Sequence, residues 1–368
     1  MKVAIIGAGV AGLSCALELE KYGVKPVVYE KNNFIGEMHP HVTAIFDVIV
    51  RHLKNQREDM IDYFKYQLDK DIEPLNPIYS VVHNSPRNQS IIRGNLGYFF
   101  KRGREKDGLK CQLYSQLRDT KIIFNNLADY DKLSKAYDKV IVATGNTNFT
   151  KELGCVYTLF SSMVRGAIVL GNFDPTRLIM WINQDYCKNG YAYLTPFNKK
   201  KATLVLITND VNDEQMDYYW NKFLFEEDIK YTIVEEFKLK HETGYIYPNR
   251  VGNIYLVGGA RGGIEPFLGF GQMNSLTAGT LVARAIAEGK DYDKLLKTID
   301  SGIRKMIDFR RVYNRMNNKG YDIFVPTIGL PGVKQLIYDT NLDIAKIGGS
   351  VLGILNKIYE RNKRQGKI

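Results

Sequence analysis

The sequence predicts an α/β chain: a Rossmann-like domain built on parallel strands, an inserted and mainly antiparallel β-sheet, and a C-terminal helical segment. Three observations predict it. An apolar strand, a glycine turn and a helix open the chain at "VAIIGAGVAGLSCALELEKYG". Short runs with period-two alternation fill residues 154–250. A second apolar strand and glycine-rich turn then lead into another helix, "NIYLVGGARGGIEPFLGFGQMNSLTAGTLVARAIAEG". The expected divisions are 1–150 and 251–295 for the two parts of the nucleotide-binding domain, 151–250 for the inserted sheet and 296–368 for the helical segment.

Each element has a local reason. Val3 to Ile6 are continuously apolar, as in a parallel strand covered on both faces. Gly7, Gly9 and Gly12 then form GxGxxG. The first allows the tight turn, the second lets a pyrophosphate approach the backbone, and the third lets the helix pack close to the strand. Ala11 lies within the same turn, and Cys15 reads as core on the helix behind it. The second strand, "KPVVYEK", ends in Glu30 and Lys31, about twenty residues on, where an acid can hold a ribose diol. An acid there favours an unphosphorylated ribose, hence FAD or NAD over NADP.

Composition sets the class. At 368 residues, with 45% hydrophobic and 25% charged residues, the chain suits one large or two moderate globular domains. Four separated cysteines with no CxxC, and only five histidines, argue against a metal site or a disulfide framework and fit a cytoplasmic setting. The net charge of +11 favours anionic partners. Basic residues are scattered outside the tail, however, so nucleic acid is not expected as a partner. No apolar run reaches the ~18 residues of a membrane span.

The stretch after the second strand favours FAD over NAD. A plain dehydrogenase would continue through further βα units, whereas residues 33–118 read as long, charged and irregular. Strands return at "KIIFNN" and "KVIVATG". The latter resembles the ATG turn of flavoproteins, with Ala143, Thr144 and Gly145 passing beneath the cofactor. The alternating runs "RGAIVLGN", "RLIMWINQ", "GYAYLTPF", "ATLVLITN" and "IKYTIVEEFKL" form the inserted sheet, the floor or lid of a substrate site. In the third, Tyr191 and Tyr193 fall on one face.

The late glycines carry a family resemblance. "GGARG" is followed by Pro266, Gly269, Gly271, Ser275, Leu276 and Gly279. This spacing resembles the GDAxG…PxxGxG motif of flavoproteins of the geranylgeranyl-reductase and para-hydroxybenzoate-hydroxylase type. "NGYAYLTP" is similar to the GYxWxxP strand of the reductases. The resemblance implies a glutathione-reductase-type FAD-binding domain, with Gly258, Gly259, Gly269, Gly271 and Gln272 along the flavin. It also implies Arg102, with Arg104 as competitor, as an arginine on a helix approaching FAD. Three departures stand out. Gly259 replaces the motif's aspartate, the hydroxylases' DG pair is absent, and "IGEMHPHV", with Glu37, His39 and His41, fills the place of a reductase cysteine. The first departure implies that backbone amides or water hold the ribityl chain, and that Gly259→Asp would tighten FAD.

The expected activity is reduction of a carbon–carbon double bond in an apolar, isoprenoid or lipid-like substrate. His39, His41, Tyr191 and Tyr193 are the candidate proton donors, and NAD(P)H is a candidate transient donor of electrons. A monooxygenase acting on an aromatic ring and a degenerate, non-catalytic nucleotide-binding protein are the alternatives. In the tail, Ile347, Val351, Ile354, Leu355 and Ile358 at helical spacing precede Arg361, Lys363 and Arg364. Such a helix suits either docking on its own domain or peripheral contact with an anionic membrane.

Overall fold

The computed structural model describes residues 1–54, 58–264, 266, 268–330 and 333. Among these, the strands form two sheets. The first has six strands in the order Arg250–Val251, Ile254–Leu256, Lys139–Val142, Val3–Ile6, Val27–Tyr29 and Lys121–Ile123. All pairs are parallel except the outermost hairpin at Arg250–Leu256. Val3–Ile6 lies at the centre and is buried throughout, with Ile5 between Val28 and Ile141. Its continuous apolar run is what burial on both faces requires.

Two helices cover one face of this sheet, Val10–Lys21 and Gln272–Glu288. They run in the same direction: Ser14 bonds the Leu276 carbonyl (2.8 Å) and Thr280 (2.9 Å), Glu18 pairs with Arg284 (2.6 Å), and Tyr22 bonds Glu288. Gly279 makes the approach possible, because a Cβ there would stand 2.3 Å from the Ala11 carbonyl oxygen. Glu18 is buried, and its charge is matched by Arg284, Lys21 (2.8 Å) and the buried Lys70 (3.3 Å). Cys15 is fully buried, and burial pushes its thiol pKa well up, so it is core.

The second sheet has eight strands: Thr232–Ile246, Val156–Leu170, Lys201–Asn209, Tyr191–Pro196, Arg177–Trp181, Asn76–Asn84, Gln89–Arg102 and His41–Phe46. Every pair is antiparallel except Asn76–Asn84 with Arg177–Trp181. Three of these strands come from residues 33–118, correcting the expectation of an irregular stretch there. The local signal is weak because Pro77 interrupts one strand and Gly94 and Gly97, both at positive φ, interrupt another.

The sheet curls. The edge strand His41–Phe46 returns across the middle of the same sheet, where Thr195 donates to the Val42 carbonyl (2.8 Å) and Thr203 accepts from the Val42 amide (3.1 Å). The Asp213–Glu226 helix packs Met216, Trp220 and Phe223 against the opposite, convex face, on Ala192, Leu194, Leu204 and Leu206. Helices Tyr292–Tyr313 and Asn318–Ile328 close the end, tied by Tyr313 to the Gly190 carbonyl (2.9 Å) and by Asp322 to Ser85 (2.8 Å). No described helix is long and apolar enough to cross a membrane. The tail residues Ile347–Arg364 lie outside the described residues.

Candidate functional site

Two glycine turns meet at one end of the parallel sheet. Gly7, at φ +103°, sits so near the next strand that a Cβ would stand 2.6 Å from the Ala143 carbonyl oxygen. Gly12 is equally confined, 2.0 Å from the Gly7 carbonyl oxygen by the same measure. Gly9, by contrast, faces open space apart from Ala143 at 3.8 Å, and a Cβ at Gly145 or Gly269 would meet nothing within 4 Å among the described residues. Gly7 and Gly12 therefore shape the turn, while Gly9, Gly145 and Gly269 leave room against the backbone for a ligand.

The same end carries two positive helix termini. Gly9 and Gly271 are the N-caps of the two parallel helices, with no side-chain cap and no acid in either first turn. Their free N–H groups and dipoles favour an anion between them. Glu30 is buried at the neighbouring strand end, where its two oxygens accept from the Ala8 and Asn32 amides (both 2.9 Å). Each carboxylate oxygen keeps a further lone pair for a ribose hydroxyl. Lys31 is exposed beside it, and the Thr144 hydroxyl donates to the Asn146 carbonyl (3.2 Å). These residues fit a dinucleotide with an unphosphorylated adenosine ribose.

Gly259 has a packing reason. It lies in a 3-10 turn, Gly258–Arg261, directly against the ATG turn, and a Cβ would meet the Gly145 carbonyl oxygen at 2.4 Å and its carbon at 2.6 Å. Both neighbours are backbone, so they cannot swing away. This packing opposes the expectation that an aspartate here would tighten FAD. Arg261 buttresses the turn from behind, bonded to Asn249 (3.1 Å) and Asp300.

The concave face of the second sheet forms the other wall. Tyr191 and Tyr193 stand on it with ring centroids 5.8 Å apart, as their spacing predicts. The Tyr191 hydroxyl donates to the Leu268 carbonyl, tying this wall to the loop between Pro266 and Gly271. Tyr193 faces Val205 across the ladder and packs with Val164 and Phe237. Burial lifts its pKa to about 12, so the phenol stays protonated, and among the described residues its hydroxyl has no hydrogen-bond partner.

The segment before the His41–Phe46 strand approaches the same face. His39 stacks on Phe237 at 5.5 Å and contacts Glu235 at 3.2 Å; His41 lies 5.8 Å from Phe237. His41 pairs with Arg102 across the ladder. Burial first, and the Arg102 charge second, lower its pKa to about 4. That environment disfavours the imidazolium that proton donation by His41 would need.

Arg102 closes the Gln89–Arg102 strand rather than lying on a helix; the next helix is Leu109–Ser115. The helix expected at Arg102 is thus corrected. Its guanidinium is ion-paired with Glu37, which also pairs with Lys110 at 2.9 Å. Burial opposes the Glu37 charge, but the two cations outweigh it and hold the pKa at about 2. Arg104 is exposed and lies over the Phe34 ring at 3.6 Å. Phe237 and Lys110 joined the site unannounced. The available signal was Gly166, whose absent side chain clears the space that Phe237 fills.

Fold and site together define a chain whose Rossmann-like dinucleotide cradle faces a curled antiparallel sheet. Residues 1–156 match the pyridine nucleotide-disulphide oxidoreductase family. Along its whole length the chain shares its fold with solved flavoproteins. A geranylgeranyl bacteriochlorophyll reductase-like protein from Thermoplasma acidophilum shares the fold with a TM-score of 0.70 at 15% identity, over 97% of this chain and 98% of that one. A triple mutant of the flavin-dependent brominase Bmp2 superposes with a TM-score of 0.62 at 16% identity, over 98% and 99%. An FAD-dependent monooxygenase, ntnA, from a Nectria species is 26% identical over 171 residues, 46% of this chain. The aligned stretch spans only 21% of that curated relative.

Proposed function

We propose that this chain reduces a carbon–carbon double bond of an apolar, lipid-like substrate lying on the concave face of the curled sheet. The observation that carries the reading is Tyr193, a protonated phenol with no described partner on an apolar wall. FAD, if held there in reduced form, would supply the hydride for one carbon of such a bond. Tyr193 donates the proton to the neighbouring carbon, and solvent restores the phenol. Tyr191 positions: its hydroxyl is committed to Leu268, which fixes the wall relative to the glycine loop. The Gly9 and Gly271 helix ends would hold the pyrophosphate, and Glu30 would hold the ribose. NAD(P)H is the proposed two-electron donor.

An oxygen-dependent hydroxylation is the second reading, favoured by the sequence match to a monooxygenase. The degenerate, non-catalytic reading loses its motive, because the packing against Gly145 accounts for Gly259. The experiment is a single-turnover reaction. FAD-loaded protein is reduced without oxygen and mixed with a polyprenyl substrate, following flavin absorbance and product mass. Flavin reoxidation with gain of two hydrogens supports the proposal. Product that forms only after oxygen is admitted, with gain of an oxygen atom, replaces it with the second reading.

A further inference from the structure

We infer that the substrate carries a hydrogen-bond donor, a hydroxyl or an N–H, and that His41 Nε2 accepts it. The inference rests on the concave face being the substrate site, as proposed above, and names a substrate group that a side chain at its rim recognises.

The geometry fixes which nitrogen is available. His41 Nδ1 lies 3.0 Å from the His39 carbonyl oxygen. A carbonyl only accepts, so Nδ1 carries the proton and Nε2 keeps its lone pair. Among the described residues no group bonds Nε2. The ring also lies near Phe237, with centroids 5.8 Å apart, on a strand whose backbone pairs with that of Arg102.

Charge preserves the acceptor. Arg102 and Lys110 share the single carboxylate of Glu37, leaving a surplus positive charge beside the ring. Burial of the ring first, and that field second, resist a second proton on the imidazole, so the lone pair persists through neutral pH. An apolar group placed there would leave a desolvated acceptor without a partner, whereas a hydroxyl satisfies it. His41 therefore selects among lipid-like molecules by their head.

The test compares geranylgeraniol with its methyl ether as probes. Dissociation constants are read from flavin fluorescence of the FAD-loaded protein. The alcohol should bind about three- to ten-fold more tightly than the ether, the size of one neutral hydrogen bond. His41→Phe should remove that preference, and His41→Gln, which retains an acceptor, should keep part of it. Equal binding of the two probes to the unaltered protein overturns the inference while leaving the substrate site standing. A preference that survives His41→Phe likewise overturns the assignment to His41. If neither probe binds the unaltered holoprotein, the apolar-substrate reading falls, and the inference with it.

Discussion

Gly259 and Gly145 are packed backbone to backbone: a Cβ on Gly259 would stand 2.4 Å from the Gly145 carbonyl oxygen. The two residues come from different glycine turns, one after each of two adjacent parallel strands. Gly259→Asp, which would restore the acid common in similar motifs, must therefore displace the ATG turn. Overpacking of this kind costs about 1–3 kcal/mol. We predict weaker FAD binding and a lower melting temperature for Gly259→Asp, measured by flavin titration and calorimetry. Tighter FAD binding would show that the turns can separate without loss.

The parallel helices behind the turns are held by a second such contact, Gly279 against the Ala11 carbonyl. Gly279→Leu should push the helices apart and misalign their N-termini. The expected result is loss of FAD retention on purification, with destabilisation of about 1–3 kcal/mol in denaturant unfolding. Normal flavin content in that variant would contradict the role given to the paired helix ends.

The two wall tyrosines should separate in their effects. Tyr193→Phe removes the proposed proton donor and should slow substrate reduction by about 10²–10⁴-fold, with FAD binding unchanged. Tyr191→Phe removes the bond to Leu268 and should destabilise the protein by about 0.5–1.5 kcal/mol. Its effect should fall on substrate affinity more than on the reduction rate. Stopped-flow reduction and thermal melts on both variants decide this; equal kinetic losses would argue against distinct roles.

Acid should weaken the fold through His41. Its pKa is about 4 in the folded protein against an ordinary 6.5, so between these values the unfolded chain binds more protons. Stability therefore falls as pH drops from 6.5 towards 4. Glu37, at about 2 against an ordinary 4.5, extends the loss below pH 4.5. His41→Gln should make the first part of the melting-temperature profile, between pH 6.5 and 4.5, less steep, with the buried His83, also lowered to about 4, supplying the remaining slope, and should leave the lower part. A profile identical to that of the unaltered protein would show that His41 does not contribute.

Much of this was legible in local sequence. The strand, turn and helix at Val3–Lys21 are written in short-range terms: continuous apolar residues, then glycines at fixed offsets. The ATG strand, the alternating runs of the curled sheet and the late helix are equally local. Residues 41–102 were less so, because His41–Phe46 pairs with a strand about fifty residues on and Asn76–Asn84 pairs with Arg177–Trp181, although Asn76–Asn84 and Gln89–Arg102 form a local hairpin. Glycines and a proline also blur the alternation that marks a strand.

The sequence by itself determined the dinucleotide-binding framework, since glycine spacing and a strand-end acid act over a few residues of backbone. It also placed Tyr191 and Tyr193 on one face, because strand periodicity is a local property. Only the tertiary structure decided what each group is free to do. It set Gly259 against Gly145, spent the Tyr191 proton on Leu268, kept His41 neutral beside Arg102, and left the Tyr193 hydroxyl without a described partner. Those outcomes depend on which distant backbone or charge arrives within a few ångströms, and no local pattern encodes that.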